Sequence, residues 1–163
     1  QQFANEANSQ AHREQTGREI LEQAGKPIHG FCSGIGTGGT ITGVGEALRE
    51  KNPDILIWAI EPEHAAILSG GTVGTHIQMG IGDGVIPEIL HQDVYQEIVI
   101  VTDEEALRTA KDLAAKEGLM CGITGGTHVA AALKMAKKLG KGKTVVTILP
   151  DTAERYFSTE LFD

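Results

Sequence analysis

Within the run SGIGTGGTITG, Ser33 to Gly43, residues Gly34 to Gly39 spell G-x-G-x-x-G. The overlapping Gly36-Thr37-Gly38-Gly39-Thr40 makes a cup of glycine backbone with two hydroxyls. Either reading holds phosphate. Where such a loop leaves a strand and opens a helix, free N–H groups and the positive end of the helix dipole favour an anion. A plain strand-to-helix turn needs one glycine, and here four fall within six residues. That density predicts backbone brought close to a ligand.

Two ligands compete for the loop. A dinucleotide would use Glu61, which closes the next apolar run about 20 residues on, where a dinucleotide fold places its ribose-binding acid. This leaves the glycine-rich segment 69–84 and a second loop, Gly122-Ile123-Thr124-Gly125-Gly126, without a role. A smaller ligand uses both loops: the first cups a phosphate, and Thr124 offers a hydroxyl to the far end. Pyridoxal 5'-phosphate has that shape, with a phosphate at one end and a pyridine nitrogen at the other. A neutral hydroxyl partner leaves the nitrogen largely unprotonated, a weaker electron sink than a carboxylate partner would make, and this suits β-elimination. Read structurally, Thr124 is instead the N-cap of a helix over 125–139.

The elements that must position these loops alternate. Residues 8–23 read as a helix stopped by Gly25-Lys26-Pro27, and 27–32 as a strand feeding the first loop. Residues 40–50 read as a helix ended before Asn52-Pro53. The continuous apolar runs ILIWAI (55–60), EIVIV (97–101) and TVVTIL (144–149) suit strands covered on both faces. Thr102-x-x-Glu105 is a capping box opening a helix that Gly118 ends. The helix after the second loop shows Val129, Ala132, Leu133 and Ala136 on one face, the predicted buried one. The alternation predicts an α/β fold, a three-layer sandwich with a mostly parallel sheet flanked by helices.

At 163 residues the chain makes about one domain, with 40% hydrophobic and 22% charged residues. A net charge of −8 argues against a nucleic-acid partner. The apolar runs are too short to span a bilayer. Cys32 and Cys121 form no C-x-x-C pair, which points to a reducing cytoplasm. The six histidines lack metal-ligand spacing and read as structural or surface residues, and Cys121 as a small buried hydrophobe.

The segments GIGTGGTITGVG, IEPEHAAILSGG, GIGDGVIPEIL, DEEALRTAKDLAAKEGLMCGITGG, VAAALKMAK and ILPDTAERYFST run in order along the whole chain. Together they resemble the cysteine synthase (O-acetylserine sulfhydrylase) family of tryptophan synthase β-like PLP enzymes. Cystathionine β-synthase and the serine and threonine dehydratases share that fold and stand as alternatives, as does a non-catalytic phosphate-binding module. The resemblance implies cysteine formation from O-acetylserine and sulfide, and a homodimer. It implies that Gly36, Thr37, Gly38, Gly39 and Thr40 hold the phosphate and that Thr124 faces the ring nitrogen. Gln2 would contact the substrate carboxylate, and Gly80 would belong to the part that closes over substrate.

Departures from the family pattern bear on these roles. Thr124 stands where the family has Ser in G-I-S-S-G, which keeps the hydroxyl but restricts its rotamer. Ala153 replaces a usual Gly. Ile77 and Thr72 occupy positions where the family carries lysines that receive serine acetyltransferase, so that complex is the family feature least supported here. The family's Schiff-base lysine belongs to a segment that would precede Gln1, and no lysine here stands in its motif. The chain therefore reads as the C-terminal large-domain portion of a longer enzyme, inactive in isolation, with no catalytic residue of its own.

Overall fold

The computed structural model describes residues 1–163. Four parallel strands, β1 (Gly30–Gly34), β2 (Leu56–Pro62), β3 (Glu97–Val101) and β4 (Val145–Thr147), form one sheet in the order β3-β2-β1-β4. Side chains alternate across it as strand geometry requires. Phe31, Ile57 and Ala59 enter one apolar core with α3 (Gly39–Lys51). Cys32, Trp58 and Ile60 enter another, with α4 (Asp103–Asp112) and α5 (Ile123–Leu139). Helices α1 (Ala7–Ala11) and α2 (Gly17–Ala24) join through a wide π turn over His12–Thr16 and pack on α3. The result is the expected three-layer α/β sandwich. No helix is long and apolar enough to cross a membrane.

β1 leads through the glycine loop and α3 to β2 on one side, while its other neighbour, β4, arrives last in the chain. The strand order therefore reverses between β1 and β4, and the crevice beyond their carboxyl ends is where open α/β sheets bind ligands.

Several elements differ from the sequence reading. β1 starts three residues later than expected and ends two later, since Ser33 and Gly34 pair with Ala59 and Ile60. β4 is shorter than its apolar run, because the Ile148 carbonyl bonds to the His128 ring instead of a strand. The capping box forms as read, with the Thr102 hydroxyl accepting the Glu105 N–H at 3.1 Å.

The buried face of α5 is not the predicted one. Leu133 is 56% exposed, and Thr127, Ala130, Ala131 and Met135 face inward. Small residues on that face let α4 and α5 come close: a Cβ at Gly126 would stand 2.0 Å from the Ala106 carbonyl oxygen. Distance between helices, not side-chain size, selects the inner face here.

Candidate functional site

The first loop joins the end of β1 to α3. Gly38 holds φ +82°, a left-handed conformation that turns the chain into the helix. The N–H groups of Gly36, Thr37 and Gly38 find no protein acceptor, and they stand at the N-terminus of a 13-residue helix. These are the donors and the dipole that an anion site needs.

The glycines also answer to the protein's own packing. A Cβ on Gly36 would meet the Gly80 carbonyl oxygen at 2.3 Å, one on Gly38 would meet Leu90 at 2.9 Å, and one on Gly39 would meet the Asn8 amide oxygen at 2.1 Å. Each absent side chain makes room for another part of the protein. Close packing behind and beside the loop shapes the cup, and the free N–H groups follow from that shape.

Gly36, Thr37, Gly38 and Thr40 line a cleft of about 450 Å³ together with Gly80 and Thr124. Gly39 is buried behind the loop. Gln2 does not line the cleft: its backbone carbonyl accepts from the Asn8 side chain at 2.9 Å, and Asn8 in turn donates to Thr37. The structure thus brings five of the proposed site residues to the cleft directly, and Gly80, at φ +83°, lines it beside Gly36.

Thr124 lies in the first turn of α5, whose N-cap is Gly122, so it is not the cap. Its hydroxyl donates to the Met79 carbonyl at 2.7 Å. Its one proton ties α5 to the 79–84 segment here; an unprotonated ring nitrogen only accepts, so to partner one the hydroxyl must turn from the Met79 carbonyl and donate into the cleft.

Four further residues on the cleft were not singled out as site residues. His128, 3% exposed, accepts the Gly34 N–H at its Nε2 (2.8 Å) and pairs through Nδ1 with the Ile148 carbonyl (2.7 Å). A carbonyl only accepts, so the proton sits on Nδ1. Burial pushes the ring pKa down to about 4, and it is neutral at neutral pH. Asp151 and Tyr156 hydrogen-bond to each other, while the second Asp151 carboxylate oxygen, Oδ1, is buried without a partner. Arg155 supplies the cleft's cation, and no lysine lines it. The Pro150-Asp151 pair directly after an apolar run was the available signal, since carboxyl ends of parallel strands carry site residues.

Glu61, the acid a dinucleotide would need, is 3% exposed and engaged elsewhere. It accepts from the Leu68 and Ser69 N–H groups at 2.7 and 3.0 Å and from the Ser69 hydroxyl at 2.7 Å. It braces the turn after β2 and has no free oxygen for a ribose. Cys121 is buried, as read.

A phosphorylated pyridine fits these residues. Free N–H groups and two hydroxyls stand at one end and Thr124 at the other.

The known proteins agree with that fit. A cysteine synthase of Staphylococcus aureus is 47% identical over 163 residues, covering 99% of this chain and 53% of its own. A probable cysteine synthase of Bacillus subtilis is 48% identical over 164 residues, with the same coverage. Among solved structures, an O-ureido-L-serine synthase superposes with TM-score 0.94 at 42% identity, covering 99% of this chain and 52% of the other. Isoform 3 of O-acetylserine sulfhydrylase from Entamoeba histolytica superposes with TM-score 0.94 at 40% identity, covering 99% and 48%. The chain thus spans about half the length of the curated relatives it matches. Residues 1–151 match the family described as pyridoxal-phosphate dependent enzyme, and the chain belongs to that family.

Proposed function

We propose that this chain is the cofactor-holding portion of a cysteine synthase that makes cysteine and acetate from O-acetylserine and sulfide. One observation carries the reading: a phosphate cup at the N-terminus of α3 and the Thr124 hydroxyl face a single cleft, in a chain nearly half identical to proteins named cysteine synthase.

Bound pyridoxal phosphate stabilises negative charge at an amino acid's Cα and so lets a leaving group depart from Cβ. The chain's own residues bind and orient. The Gly36–Gly38 N–H groups with Thr37 and Thr40 take the phosphate, and the helix dipole of α3 adds to its affinity. Thr124 stands as the ring-nitrogen partner. Gln2, which lies outside the cleft's lining here, is the residue assigned to the substrate carboxylate. The loop carrying Gly80 covers the substrate side and excludes water. With no lysine in the cleft, the Schiff-base lysine comes from outside these 163 residues, in a homodimeric enzyme whose large domain this chain supplies.

The test is cysteine formation by the intact polypeptide with pyridoxal phosphate, O-acetylserine and sulfide. Activity that falls with cofactor affinity in Thr37→Val and Thr40→Val supports the reading. A cofactor-loaded protein that forms no cysteine overturns it.

A further inference from the structure

Both hydroxyls of the cup are backed by a second pair of side chains, and that pair comes from one helix face. Asn8 and His12 lie four residues apart, so they stand one above the other on the same side. Asn8 Nδ2 reaches Thr37 Oγ1 at 3.0 Å, and His12 Nε2 reaches Thr40 Oγ1 at 3.2 Å. The wide turn at His12–Thr16 seats them, and α3 comes close enough for contact: a Cβ on Gly43 would stand 2.1 Å from the Ser9 carbonyl oxygen. Such turns often mark functional positions in helices.

A threonine hydroxyl has one proton and two lone pairs. Thr37 Oγ1 accepts from Asn8 Nδ2 and from the Gly39 N–H at 3.3 Å, so its lone pairs are taken and its proton is free. The orientation of Asn8 is settled by its other contact, because the Gln2 carbonyl can only accept and therefore faces the amide nitrogen.

Thr40 is different. His12 contacts Thr40 through Nε2 and Thr16 Oγ1 through Nδ1, at 3.0 Å. Burial lowers its pKa, which favours the neutral ring with one donor and one acceptor. With the proton on Nδ1, the ring draws the Thr40 proton away from the cleft. With the proton on Nε2, the ring donates to Thr40 and leaves that proton for a ligand. An unprotonated phosphate oxygen only accepts, so a cup whose two hydroxyls both meet such oxygens requires the second arrangement.

We propose that Asn8 and His12 are positioning residues for the phosphate, and that anion binding sets His12 with its proton on Nε2, so that both cup hydroxyls donate to the anion. This rests on the phosphate-cup reading above.

The experiment is nitrogen-15 NMR of the intact protein titrated with inorganic phosphate, following the Gly36–Thr40 amides and the His12 ring together. Shifted loop amides with a proton on His12 Nε2 support the proposal. Shifted amides with a bare Nε2 overturn it and leave the cup reading standing. Loop amides that never move, with phosphate or with pyridoxal phosphate, overturn the cup reading and the proposal together. Variants give an independent readout. His12→Gln keeps an N–H donor and holds phosphate affinity within about threefold, whereas His12→Leu loses about tenfold, the scale of one hydrogen bond. Equal affinities in the two variants overturn the proposal.

Discussion

His128 Nε2 accepts the backbone N–H of Gly34 at 2.8 Å, a contact between residues 94 positions apart that joins α5 to the start of the first glycine loop. Through Nδ1 the same ring holds the Ile148 carbonyl just beyond β4. One neutral imidazole therefore ties together the two strand ends between which the cleft opens.

That arrangement predicts acid sensitivity. Burial lowers the His128 pKa from 6.5 to about 4, so the unfolded chain binds a proton there at a pH where the folded chain does not. The stabilising contribution is whole above pH 6.5 and is lost as pH falls toward 4, by about 3 kcal/mol over the window. Urea unfolding of the native protein and His128→Gln at several pH values isolates this part. The stability difference between them narrows on acidification, and a constant difference would refute the assignment.

Gly36→Ala brings a methyl group to 2.3 Å from the Gly80 carbonyl oxygen, which is backbone and cannot rotate aside. The loop and the 79–84 segment must part. The expected loss is about 1–3 kcal/mol in unfolding free energy, as for overpacked sites. Cofactor affinity weakens with it, measured by fluorescence titration with pyridoxal phosphate.

Tyr156 is the group to follow in base. Burial and then its hydrogen bond to Asp151 raise its pKa from 10 to about 12. Tyr95, the other tyrosine, is also raised, by burial and by Glu61. A phenol raised in the folded state lends stability below pH 10 that is lost as pH climbs toward 12. An ultraviolet titration should show both tyrosines ionising late, with the last step absent in Tyr156→Phe. A last step that survives in that variant assigns it to Tyr95.

Local signals were legible in the chain wherever the cause is local. The capping box, the glycine loop ahead of a helix, and the EIVIV strand are set by neighbours a few residues away, and all formed where read. What escaped depends on contacts between distant segments. Nothing near His128 reveals that its ring meets Gly34 and Ile148. The inner face of α5 is chosen by its close approach to Ala106, so the larger Leu133 faces out. The glycines of the first loop also accommodate Gly80, Leu90 and Asn8, which no spacing rule could show.

Thr124 links the two walls of the cleft, since its hydroxyl proton goes to the Met79 carbonyl at 2.7 Å. Serine at this position would keep the bond but free the side-chain rotamer that the threonine methyl restricts. Valine would keep the shape and remove the hydroxyl, leaving the carbonyl without its donor. Thr124→Ser should therefore hold pyridoxal phosphate within about threefold of the native affinity, and Thr124→Val should lose about tenfold, one hydrogen bond's worth. Amide exchange separates the two duties of the residue: loss of the Met79 bond speeds exchange across the 79–84 segment in the cofactor-free protein. Faster exchange with unchanged affinity would mean that Thr124 serves the segment alone, and the ring-nitrogen role would pass to another group in the cleft.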